Sequence, residues 1–212
     1  MRSRNASRRF GFTVVELLIV VALVAVVLTL AAPSFREMIE LRRLRSISAQ
    51  VVTDVQFARS EAASRQRRVY ITFGPPPVPA IAMSCYVIHT CASNDNSGCI
   101  CNCAAPAGSR CVGNPNDIEV RTVQVPTSSG VKVNLTAAGA SLPKLISFDP
   151  ATGGMLALTV SPFGAPVQLP DPAWIDTSLT RASPPTLRTV VNSTGRPSVC
   201  APGTPVSGTP AC

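Results

Sequence analysis

The chain is poor in the residues that carry catalysis. One histidine, His89, and 11 acids are spread over 212 residues. No serine sits in a G-x-S-x-G elbow, and no glycine-rich run is placed to cradle a phosphate. No enzymatic constellation stands out, so the expectation is a non-enzyme that needs no cofactor.

A second absence is of helix breakers. Residues 12–68 contain no glycine, and Pro33 is their one proline. Within them, residues 17–35 run without a charge, about the length that crosses a hydrocarbon core at roughly 1.5 Å per residue. From Arg36 the composition changes while the period holds. Leu41, Leu44, Ile47, Val51, Val55, Ala58 and Ala62 recur at spacings of three and four, with Arg and Glu between them, which is the pattern of an amphipathic helix laying down one apolar stripe. The expectation is one helix of roughly 50 residues, kinked near Pro33.

Charge is unevenly placed. The formal net charge is +8, but residues 1–11 carry four arginines and no acid, and residues 36–68 carry eight arginines against four acids. From residue 69 onward there are seven bases and six acids. The excess flanks the apolar run, and its first block belongs on the cytoplasmic side. A basic nucleic-acid face on the remainder is not supported.

Most of the 20 prolines and 13 glycines fall after residue 73. Short strands joined by turns follow: 69–73, 78–89, 118–125, 131–135, 145–148, 155–160, 167–169 and 187–192. Their length and the frequent prolines favour an antiparallel sheet. Residues 90–116 read as a loop rich in Cys, Asn, Gly and Ser.

Arg9-Phe10-Gly11-Phe12-Thr13-Val14-Val15-Glu16 resembles the type IV prepilin signature, and the resemblance extends over about the first 60 residues, including Pro33. An ordinary signal peptide fits less well, because the apolar run exceeds a 7–15-residue core and no A-x-A site precedes a mature start. The resemblance implies cleavage after Gly11 by a prepilin peptidase and N-methylation of Phe12. It also gives Glu16 a role. A carboxylate at membrane depth costs about 2.5–3.5 kcal/mol, and in pilins the new α-amino group of a neighbouring subunit pairs with it during assembly.

Three further stretches resemble the GspH/FimT-type minor pilins. They are Phe57-Ala58-Arg59-Ser60-Glu61-Ala62, Ser147-Phe148-Asp149-Pro150-Ala151-Thr152-Gly153, and the segment from Val190 through Asn192-Ser193-Thr194-Gly195-Arg196 to Cys200. The implied fold is α+β, with the second half of the long helix packed on an antiparallel β-sheet head. The implied organisation is a leader at 1–11, a transmembrane and filament-core helix at 12–35, its amphipathic continuation at 36–68, and a periplasmic head at 69–212. The implied setting is the inner membrane, then a type IV pilus or type II secretion pseudopilus, with other pilins and an inner-membrane assembly platform as partners. The insert at 90–116 departs from the family pattern.

Some FimT proteins take up DNA through a Gly-Arg-x-Arg stretch. Gly195-Arg196-Pro197-Ser198 keeps only its first arginine. Arg181 and Arg188 are the residues that would have to join Arg196 in that alternative, and a near-neutral head weighs against it.

Eight cysteines behind a membrane-targeting segment point to an oxidising compartment. Cys85, Cys91, Cys99, Cys101, Cys103 and Cys111 invite a metal reading, but the i, i+2 alternation of Cys99, Cys101 and Cys103 suits zinc or iron–sulfur ligation poorly. A disulfide-stapled loop is expected, with fifteen pairings open among the six. In the segment after residue 197, which is too polar to pack alone, a Cys200–Cys212 bridge is favoured, by analogy also with major pilins. The rival is that both reach back to the 85–111 cluster.

Overall fold

A computed structural model describes residues 13–74, 83–91, 101–111, 117–136, 144–159, 167–168, 173–181 and 183–212. Gly11, Phe12 and Cys99 therefore lie outside the described residues. The chain divides into two units, Met1–Leu41 and Arg42–Cys212.

Helix α1, Val14–Arg65, begins and ends on recognisable local chemistry. Thr13 Oγ1 accepts the Glu16 N–H at 3.2 Å, the Thr-x-x-Glu arrangement of a capping box. At the other end Gln66 takes φ 52°, while Gln66 N–H donates to Ala63 O and Arg67 N–H to Ala62 O. That pair of bonds closes a helix in the Schellman manner, with Gln standing where Gly is usual.

In the first unit the helix is bare. Sixteen large hydrophobics are exposed among the described residues, and all but Ile118 lie between Val14 and Ile39. Among the described residues no single straight helix is long and apolar enough to cross a membrane. A bent pair, Val14–Thr29 with Ser34–Arg65, passes together by length and composition. Pro33 falls in the break between them, and its side chain is not among those described.

In the second unit α1 buries Leu44, Ser48, Val51, Asp54, Val55, Ala58 and Ala62. This departs from the expected stripe in two ways. Ile47 is only half-buried, and two polar residues, Ser48 and Asp54, enter the core. The small Ala58 and Ala62 let the backbone of α1 lie close to what it covers.

Ten strands follow: β1 (Val69–Phe73), β2 (Met83–Thr90), β3 (Ile118–Pro126), β4 (Val131–Thr136), β5 (Lys144–Phe148), β6 (Met155–Thr159), β7 (Val167–Gln168), β8 (Ala173–Leu179), β9 (Thr186–Val191) and β10 (Pro197–Cys200). They form two sheets, ordered β3-β2-β1-β5-β6-β7 and β10-β9-β8-β4, with every strand pair antiparallel. The class is α+β with an antiparallel head. All five residues of β1 are buried, as befits a strand covered on both faces. In β9 burial alternates, so its sheet has one buried face and one that meets solvent. Ser84 Oγ on β2 accepts the Val133 N–H of β4 at 2.9 Å and ties the sheets together.

Two strands were not anticipated. β8 is central in its sheet, yet it reads Ala-Trp-Ile-Asp-Thr-Ser-Leu, where Asp and Ser mask the alternation of inward Ala173, Ile175, Thr177 and Leu179. β10 opens on Pro197, a residue tolerated at the first position of an edge strand. The expected second strand, 78–89, is described from Met83 onward as β2, and residues 75–82 lie outside the described part.

Candidate functional site

From Val14 to Phe35 the exposed stretch of α1 carries one carboxylate. Glu16 is exposed, its N–H is held by Thr13, and its side chain has no partner among the described residues. A helix apolar on all sides is suited to a covering of lipid or of other helices.

The head holds three polar centres. In the first, the three stretches that resemble the minor pilins meet. Asp149 Oδ1 accepts the N–H groups of Ala151 and Thr152, each at 3.1 Å, and the Thr152 hydroxyl at 3.1 Å. Those bonds, with Arg68 nearby, hold the Asp149 carboxyl below the usual range. The β9–β10 turn is built the same way, with Asn192 Oδ1 accepting the Arg196 N–H at 3.0 Å. The two turns touch through glycine. A Cβ on Gly195 would stand 2.4 Å from Gly153 O, and Gly195 sits at φ 74°, so no other residue fits there without strain. Arg59 of α1 lies across both glycines and donates from Nε to Gly153 O at 3.2 Å.

The second centre joins α1 to the first sheet. Tyr86 on β2 donates its hydroxyl to Asp54 Oδ2 at 2.6 Å. Arg121 Nη1 on β3 stands 2.9 Å from Asp54 Oδ1, an ion pair whose angle falls short of a hydrogen bond. Burial raises the Asp54 pKa, with Tyr86 and Arg121 pulling the other way. Burial and the neighbouring Asp54 push the Tyr86 phenol up as well. Sequence reading missed this centre. The signal available was an acid, Asp54, falling one residue before the apolar Val55 on the buried face.

The third is the cysteine cluster. Cys85 is bonded to Cys103 and Cys101 to Cys111, with S–S distances of 2.00 and 2.07 Å. Cys91 is also disulfide-bonded, and no described cysteine is free. His89, Cys101 and Cys111 bring ligand-type atoms within 4.8 Å of one another, but both sulfurs are committed to their disulfide and offer no thiolate. His89 is fully buried, hydrogen-bonded to Thr72 Oγ1 at 2.7 Å, and burial lowers its pKa to about 4. Cys200 and Cys212 are joined at 2.07 Å, and the loop they close packs Val206 inward and accepts Arg45 Nη2 at Ser207 O, 2.6 Å away.

The three arginines of the DNA alternative are spread out. Arg181 precedes β9 and Arg196 follows it, so the strand separates them by roughly 20 Å at about 3.4 Å per residue. Arg188, between them, is held by Asp176 through two hydrogen bonds of 2.8 and 3.0 Å and lies 4.9 Å from the centre of the Trp174 ring.

Comparison with known families matches the chain twice. Residues 48–195, more than half of the chain, match the family described as type II transport protein GspH. Residues 6–32 match the prokaryotic N-terminal methylation motif. Neither the curated proteins nor the solved structures yield a significant match. The chain belongs to the GspH family of type IV pilin-like proteins, membrane-anchored structural subunits that are processed by prepilin peptidase and assemble with other pilins or pseudopilins.

Proposed function

We propose that this chain is a minor subunit of a type IV pilus or type II secretion pseudopilus, inserted in the inner membrane through residues 12–35 with its head, 69–212, in the periplasm. Residues 1–11 are the leader, removed after Gly11, and Phe12 is then N-methylated. Residues 36–68 continue the helix into the head. The observation that carries this reading is the bare apolar stretch of α1 with Glu16 as its one carboxylate. In the filament the apolar faces pack on neighbouring helices, and Glu16 receives the α-ammonium of another subunit's Phe12. An ammonium–carboxylate pair in low dielectric is strong enough to select the axial register. The inner-membrane assembly platform adds one such subunit at a time.

Intact-mass measurement of the protein purified from membranes tests the processing. A chain starting at Phe12 and heavier by one methyl group is expected. An intact Met1, or a start near Pro33, would defeat the proposal.

A further inference from the structure

The centre where Arg59 crosses the two turns also opens to solvent. A cavity of about 600 Å³ is lined by Arg59 and Ser60 of α1, by Thr152 and Gly153 of the β5–β6 turn, and by Arg196. A second, of about 580 Å³, shares Arg59, Thr152 and Arg196 and continues the groove past Asn192. Among the described residues no carboxylate lines either one. Five other arginines of the second unit meet acids: Arg65 with Glu61, Arg68 with Asp149, Arg110 with Glu119, Arg121 with Asp54, and Arg188 with Asp176. Among the described residues Arg59 and Arg196 pair with none. Two unneutralised guanidiniums share one groove, with hydroxyl and amide groups beside them.

We propose that this groove binds a carboxylate-bearing segment of a neighbouring filament subunit, which deepens the proposed function and rests on it. Guanidinium forks recognise carboxylates in two-pronged fashion, and the serine, threonine and asparagine beside them supply further hydrogen bonds to a peptide. A nucleic acid is the less suited ligand. Two cations on a near-neutral head give no track along a phosphate backbone. The floor of the groove is α1 itself, the element through which subunits of this family assemble, so a neighbour's segment is within reach. Arg196 is the residue to vary, because its side chain, unlike that of Arg59, makes no hydrogen bond among the described residues.

The test places a benzophenone photocrosslinker at Ser60 in the full-length chain, within assembled filaments. Incorporation into sheared filaments is scored separately. The expected product joins Ser60 to a peptide of another subunit that contains Asp or Glu. Its yield should fall about fivefold in Arg196→Gln, the effect of about 1 kcal/mol for a solvent-facing pair, and recover when Arg196→Glu is combined with an acid-to-Lys change in that peptide. Three results overturn the groove while leaving the filament role intact: an adduct with nucleic acid or with a peptide lacking acids, a yield indifferent to Arg196→Gln, or no adduct in filaments that do contain the chain. A wild-type chain that never enters filaments overturns the filament role, and the partner named here falls with it.

Discussion

Helix α1 carries two carboxylates among apolar residues, and the chain treats them in opposite ways. Asp54 is 1% exposed and is met from two strands by the Tyr86 hydroxyl and the Arg121 guanidinium. Glu16 sits on the bare stretch with no side-chain partner among the described residues. A buried carboxylate left alone is costly, so the fold supplies partners where it can. A carboxylate kept on an apolar surface without one marks a contact completed by another molecule. Asp54 thus belongs to stability, and Glu16, on the function proposed above, to assembly.

Three measurements can break or sharpen that contrast. The largest effect is expected at Glu16. Glu16→Ala leaves a neighbour's ammonium unpaired at about 3 kcal/mol, so its share of sheared filaments should drop roughly a hundredfold. Its amount in the membrane fraction and the melting of the head should stay at wild-type values. Normal assembly of this variant would erase the distinction between the two acids. Next comes Asp54→Ala. It strands the buried Tyr86 hydroxyl, while Arg121, 44% exposed, recovers water. A loss of about 2–3 kcal/mol follows, lowering the melting temperature by roughly 5–10 °C. Calorimetry on the full chain in detergent would read it, and an unchanged melt would demote Asp54 to a bystander.

The smallest effect is a pH slope. The Asp54 pKa is raised in the fold by burial, so the folded state holds the proton more tightly than the unfolded chain. Its contribution to stability is greatest below the unfolded value of 3.8 and declines as pH rises through the folded value. Asp54→Asn should remove that decline, so the stability of the wild type relative to this variant should fall over the same rise in pH. A difference independent of pH would mean that Asp54 is not desolvated.

Much of this was legible because it depends on local order along the chain. The lack of breakers from 12 to 68 and the recurrence of Leu44, Ile47, Val51, Val55, Ala58 and Ala62 at three and four read directly, since a helix repeats over neighbouring residues, whereas the Thr13 cap emerged from the structure. Strand β1 read equally well as an apolar run stopped by Gly74. What failed was also informative. Ser48 and Asp54 sit on the buried face because strands distant in sequence offer them room and partners. β8 is a strand because β4 and β9 flank it, and nothing in Trp174-Ile175-Asp176-Thr177 announces those neighbours.

The sequence alone determined the long helix, the place of its membrane-suited half, the prepilin-type segment around Gly11, Phe12 and Glu16, and the antiparallel β character of the head. The prepilin-type segment follows from its resemblance to a known signature, and the others from composition and period within a few turns or strands. Only the tertiary structure decided which sulfurs of the 85–111 cluster join, that Asp54 meets Tyr86 and Arg121, that Arg188 is held by Asp176 while Arg59 and Arg196 share a groove with no acid among the described residues, and that Gly153 and Gly195 must touch. Those are contacts between segments 30 to 140 residues apart in several cases. They are set by how whole elements pack, which no local pattern encodes.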